Sequence, residues 1–159
     1  MLALTTAQFT GCGTQISFPI QKIRATREAQ RKHFEDPDVA RHVSQLAMAK
    51  MADLYATLDK SSREKRTVTA PRLVKAVSPQ YPLSRRIKDV QGGVWIAFAA
   101  DVEGNTTRIE SIPEAGAIED PAFVEAAKQA VRQWKFEPGK IDGTPIVFPL
   151  CVPVVFELE

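Results

Sequence analysis

An α+β fold is what this sequence predicts: a helix-backed three-stranded antiparallel sheet, preceded by an N-terminal helical pair. Three observations predict it. Val94, Ile96 and Phe98 alternate with Trp95, Ala97 and Ala99, the period of a strand. Phe123, Ala126, Ala127, Ala130, Val131 and Trp134 recur at helical spacing and form one apolar stripe. From Ile146 to Leu158 every even position is apolar, which fixes one face of a last strand and with it the register.

Taken in order, the chain opens on Met1-Leu2-Ala3-Leu4 and reaches Cys12 through Phe9-Thr10-Gly11. A small residue before a cysteine resembles the end of a bacterial lipoprotein signal, with Cys12 as the lipidated residue, although the basic n-region and a full apolar h-region are missing. The start of the protein then lies upstream of Met1, or the match is chance. Residues 13–19 read as coil or one weak strand, and Gln21 to Phe34 turns helical in composition. Asp36-Pro37 is a helix start, Asp as N-cap and Pro at the first helical position. The stripe Val39, Val43, Leu46, Ala47, Met51, Leu54, Leu58 predicts one long helix to about Asp59. That stripe buries against the preceding helix in a hairpin, against the C-terminal module, or against a second copy in a homodimer.

Residues 61–70, with Ser61-Ser62 and alternating charges, read as a linker, and the boundary falls near Pro71. The chain thus divides into a signal-like start (1–12), a helical extension (13–60), the linker and a sheet module (71–159). Pro79 and Pro82 favour extended chain, and a short helix from Leu83 to Lys88 comes next with Ile87 inward. Glu103-Gly104-Asn105 turns the first strand into a weaker return strand, Thr106 to Ile112, whose Arg108 and Glu110 mark a wet side. Asp120-Pro121 repeats the helix-start signature, Pro138-Gly139 ends the stretch beyond Trp134, and Asp142-Gly143 turns into the last strand.

Composition excludes several classes of function. The formal charge is +2, split between a basic front and an acidic back, but the basic residues are dispersed among acids, so no nucleic-acid partner is expected. No apolar run approaches the roughly 18 residues of a spanning helix. Catalysis and metal binding have little to stand on. His33 and His42 have no third ligand beside them, Cys151 has no evident base, and no phosphate loop succeeds a strand. Glu119-Asp120 stands where a helix cap and dipole explain it. No enzyme, cofactor or metal is expected. Cys12 and Cys151 could form a disulfide in an oxidising compartment; if Cys12 carries lipid, Cys151 is left over.

The last strand carries the functional suspicion. Pro149 and Pro153 occupy odd positions, and a strand with two residues lacking N–H belongs at a sheet edge. Because backbone groups alternate sides, both prolines remove donors from the same edge, while Val147, Cys151 and Val155 keep the full pairing groups there. These are the candidate partner-binding positions. The prolines serve a weakened edge that still accepts a partner strand, or they protect the edge from pairing.

Gln80-Tyr81-Pro82, Gly93-Val94 leading into the Phe98 strand, Gly104 in the turn, Trp134-Lys135-Phe136-Glu137-Pro138, Gly143 and the terminal run through Val155-Phe156 resemble, in order and spacing, the C-terminal domain of the TonB family. The resemblance covers about half the chain. It implies a periplasmic domain that captures an extended segment, the TonB box of an outer-membrane transporter, as an added strand. It also implies that Gln80, Tyr81 and Pro82 help contact that segment. The chain departs from the family in lacking its N-terminal membrane helix and its long proline-rich arm. A lipid-anchored envelope adaptor that reuses the fold, without energy transduction, is therefore the alternative.

Overall fold

The computed structural model of the protein describes residues 36–113 and 119–158. Its centre is an antiparallel sheet of three strands, β3 (Gly92–Ala100), β4 (Thr106–Ile112) and β8 (Phe148–Phe156), in the order β4-β3-β8. β3 and β8 pair without interruption over nine positions, from Gly92 opposite Phe156 to Ala100 opposite Phe148. The β3–β4 ladder is bulged between Ala97 and Ala99, where Arg108 takes a left-handed φ of 51°.

One face of this sheet packs on the helix α4 (Pro121–Val131). Val94, Ile96, Phe98, Leu150, Val152, Val154 and Phe156 meet Phe123, Ala127, Val131 and Trp134 there. Burying each large side chain contributes about 1.5–3 kcal/mol, and the rings add directed contacts: Phe123 stacks on Phe156 at 4.6 Å, and Trp134 meets Phe98 edge-on at 5.9 Å. The Asp120 carboxylate caps α4 by accepting from the Ala122 N–H at 2.9 Å, as the Asp-Pro signature predicts.

The opposite face is also covered. The helix predicted from Asp36 to Asp59 is two helices, α1 (Pro37–Lys50) and α2 (Ala52–Arg63), broken at Met51. Val43, Ala47 and Met51 bury against Trp95, Ala97, Ile112 and Cys151, so the apolar stripe docks on the sheet module. The break is held from outside. Arg108 Nη1 donates to both carboxylate oxygens of Asp53, at 3.0 and 2.9 Å, and Nη2 to the Lys50 carbonyl at 3.3 Å, a carbonyl near the end of α1. Lys50 Nζ reaches Glu110 at 2.8 Å. The side of β4 expected to be wet therefore carries the polar contacts that hold α1 and α2.

Three further expectations are corrected. The stretch 61–70, read as a linker, is ordered into the module: α2 runs to Arg63, and β1 (Val68–Thr69) pairs with β6 (Lys140–Ile141), which pairs in turn with β7 (Thr144–Pro145). The Asp142 carboxylate bonds both Arg66 Nε and the Thr67 N–H at 2.8 Å. The short helix is a single turn, α3 (Leu83–Arg86), and Ile87 is 74% exposed rather than inward. The last strand starts at Phe148, not at Ile146. Beside this sheet β2 (Arg72–Lys75) pairs with β5 (Lys135–Glu137). The helix expected over Gln21 to Phe34, and Cys12, lie outside the described residues.

Candidate strand-addition edge

β8 ends the order of its sheet, and among the described residues no strand pairs on its far side. In an antiparallel ladder, alternate residues turn their N–H and C=O toward one neighbour, then the other. Pro149 and Pro153 share parity and cannot donate, so an uninterrupted ladder to β3 is carried by the even residues. The far edge then presents the carbonyls of Pro149, Cys151, Pro153 and Val155, with N–H groups only at Cys151 and Val155.

Burial divides this edge in two. Every residue from Phe148 to Val152 is buried, whereas Pro153 and Val155 are half-buried. α2 contributes to the difference. Leu54 and Tyr55 pack on the core of one sheet face and Leu58 on that of the other, and the helix lies against β8, so it crosses the sheet on the β8 side. Cys151, at 3% exposure, points into the core beneath Met51. Its side chain therefore offers a partner nothing. Val147 is 36% exposed but precedes β8. Of the three positions read from the sequence, Val155 alone is a partly exposed member of the strand.

The segment containing Gln80, Tyr81 and Pro82 arrives at this same end of β8. Trp134 Nε1 donates to the Val77 carbonyl at 2.9 Å and pins the segment from inside. The Tyr81 ring stands edge-on to Phe156 at 5.8 Å and to Phe123 at 5.7 Å, and its hydroxyl donates to the Val90 carbonyl. Tyr81 is thus a packing residue that fixes the path of the chain, Pro82 opens α3, and Gln80 is exposed. Sequence reasoning missed the apolar side chains beside them: Leu83 and Ile87, one helical turn apart, are 69% and 74% exposed.

Arg85 on α3 pairs with Asp120, and both are about three-quarters buried, with side chains 28% and 23% exposed. The Arg85 hydrogen bond is the largest influence holding the Asp120 carboxyl below the ordinary Asp value of 3.8, against its burial, with help from its N-cap bond to Ala122. A carboxylate whose folded pKa is depressed stabilises fully above its unfolded pKa, and that stability is lost as pH falls through the folded one. We expect stability to decline as pH falls below about 5, and Asp120→Asn to flatten that decline while keeping a capping oxygen. Urea midpoints of both proteins between pH 6 and 3 check this; an unchanged slope would put the acid sensitivity elsewhere, on Asp53, Asp101, Glu110 or Asp142, whose pKa values are also lowered.

Among the described residues, no group of three or more His, Cys, Asp or Glu side chains could hold a metal ion, and no helix is long and apolar enough to cross a membrane. Comparison with known proteins matches residues 77–158 to the family of Gram-negative bacterial TonB protein C-terminal domains. The chain is 33% identical over 93 residues to "Protein TonB" of Vibrio cholerae serotype O1, a match covering 58% of this chain and 37% of that relative. It therefore spans well under half the length of that relative. Among solved structures, the TonB C-terminal domain of Pseudomonas aeruginosa aligns at a TM-score of 0.46 and 20% identity, over 56% of this chain and 87% of that one. That of Helicobacter pylori (residues 179–285) aligns at 0.37 and 19%, over 87% and 98%.

Proposed function

The chain belongs to the TonB C-terminal family, a family of binding and energy-transducing domains rather than enzymes, and from that premise we propose that it is a periplasmic module that captures an extended segment of an outer-membrane transporter as a strand added to β8. The observation that carries this reading is the parity of β8. Pro149 and Pro153 sit where a missing donor leaves the ladder to β3 intact, so the far edge is weakened without being closed. An added strand gains main-chain hydrogen bonds at Val155 and at the carbonyls flanking it, and side-chain contacts at Pro153, Val155 and Gln80. Tyr81 supports the site by packing under Phe156. Such capture can transmit a pull with no chemical step.

Val155→Pro tests it. Pro153 already occupies the same parity, so the substitution removes one outward donor with little cost to the fold. The full chain is titrated with a fluorescein-labelled TonB-box peptide, and we expect saturable binding that weakens at least about tenfold in the variant, the scale of one lost hydrogen bond. Circular dichroism of the variant should be unchanged. Equal binding by both proteins would move the site off β8. No binding by either would leave the envelope-adaptor reading, in which the fold holds a different partner.

A further inference from the structure

We infer that Gln91 and Glu157 form a receptor for a cationic side chain, Lys or Arg, carried by the segment that adds to β8. The inference rests on strand capture at that edge. The antiparallel register pairs Gly93 with Val155 and ends on Gly92 opposite Phe156, and Gln91 and Glu157 are the residues that flank this last pair. Continuing that register by one step would put their side chains on one face, about 5 Å apart at Cβ. Gln91 Oε1 and Glu157 Oε2 are both buried, and among the described residues neither has a hydrogen-bond partner. Both are acceptors. Buried acceptors without donors are rare in folded proteins, because each forfeits its hydration and gains nothing in return. A group able to serve both must donate more than one hydrogen bond, and the ionised carboxylate favours one that is positively charged.

The position of the pair says where that group comes from. Glu157 continues the parity of Pro153 and Val155 one residue beyond β8, and those two apolar side chains are half-buried. A Lys or Arg on the neighbouring added strand can lay its methylene stem over Val155 and Pro153 and bring its charged end to Glu157. Glu157 lies one residue beyond Phe156, at the end of β8 where the edge is open, whereas the covered half from Phe148 to Val152 has no such acceptor. The pair therefore selects among added segments by charge and by register.

The test uses ten-residue fluorescein-labelled peptides of alternating Thr and Val, each with one Lys at successive positions, and their norleucine counterparts, titrated into the full chain. At one register the Lys peptide should bind about fivefold more tightly than its norleucine twin, the scale of an opposite-charge cross-strand pair. Glu157→Gln should erase that difference while leaving norleucine peptides bound as before, and Glu157→Lys should reverse it in favour of a Glu peptide. Equal binding of Lys and norleucine peptides at every register, with Val155→Pro still weakening both, would overturn the receptor and leave strand capture standing. Absence of binding by any peptide, TonB-box peptide included, would overturn both. A Lys preference that survives Glu157→Gln would also overturn the assignment.

Discussion

Gly104→Ala should be among the most destabilising single-methyl substitutions in the molecule. Gly104 holds φ at +82°, where an L side chain is strained, and a Cβ added there would lie 1.8 Å from the Phe136 carbonyl oxygen. That obstacle is backbone and cannot swing aside. The Phe136 N–H donates to the Gly104 carbonyl at 2.9 Å, and Asn105 bridges to Lys135, so the β3–β4 turn and β5 are locked at this contact. The turn itself is fixed by Asp101, whose carboxylate accepts from the N–H groups of Glu103 and Asn105 at 2.9 and 2.8 Å. Left-handed strain of about 1–2 kcal/mol and forced displacement of packed chain at about 1–3 kcal/mol together predict a loss of roughly 2–5 kcal/mol. For a chain of this size that lowers the melting temperature by roughly 5–20 °C. Gly143→Ala is the internal control. It has φ +81° but nothing within 4 Å of the added Cβ, so it carries the strain alone and should cost about 1–2 kcal/mol. Equal losses in the two variants, read by urea denaturation, would refute the close approach at Phe136.

How much of this could be read from the chain depends on the range of the interactions involved. The alternation around Phe98, the even-numbered apolar run into β8 and the Asp-Pro starts of α1 and α4 are local signals, and each element stands where its signal lies. Asp36 and Asp120 cap their helices as that signature requires. What escaped depends on partners far along the chain. No Gly or Pro marks the break at Met51; Arg108, more than fifty residues away, braces it through Lys50 and Asp53. Residues 61–70 have the composition of a linker because their order comes from Asp142 and β6. Ile87 has the side chain of a core residue, but a single-turn helix has no second turn to press it inward. At the site, parity was legible and extent was not. Cys151 has the right parity for the outer edge, yet α1 and Met51 cover its side chain.

Met51→Asp should separate the helical cover from the sheet. Met51 is 1% exposed, sits at the joint of α1 and α2, and meets the core that contains Trp95 and Cys151. A carboxylate cannot occupy that position unpaired, so the cover must open or the charge must be suppressed. The other attachments are Val43 and Ala47, the only further fully buried apolar side chains of α1 and α2, the partly buried Leu46, Leu54, Tyr55 and Leu58, and the largely exposed Lys50–Glu110 and Arg108–Asp53 pairs, which contribute little. Losing the burial of Met51 removes about 2–3 kcal/mol of docking. The module on the far side keeps its own core of Phe98, Phe123, Trp134 and Phe156, and residues 77–158 are the stretch shared with the family. The expected result is local opening rather than global unfolding. Cys151 reports it. In a Cys12→Ser background, its reaction with a thiol reagent should accelerate by roughly a hundredfold, the factor that 2–3 kcal/mol implies, while the far-face packing read by near-ultraviolet circular dichroism largely persists. Lys50→Ala should change the rate by less than about fivefold. A single cooperative unfolding of the Met51 variant would instead make α1, α2 and the sheet one indivisible unit. Since α2 lies against β8, whose residues from Phe148 to Val152 are all buried, an opened cover should lengthen the edge that a partner strand can pair with, toward Pro149.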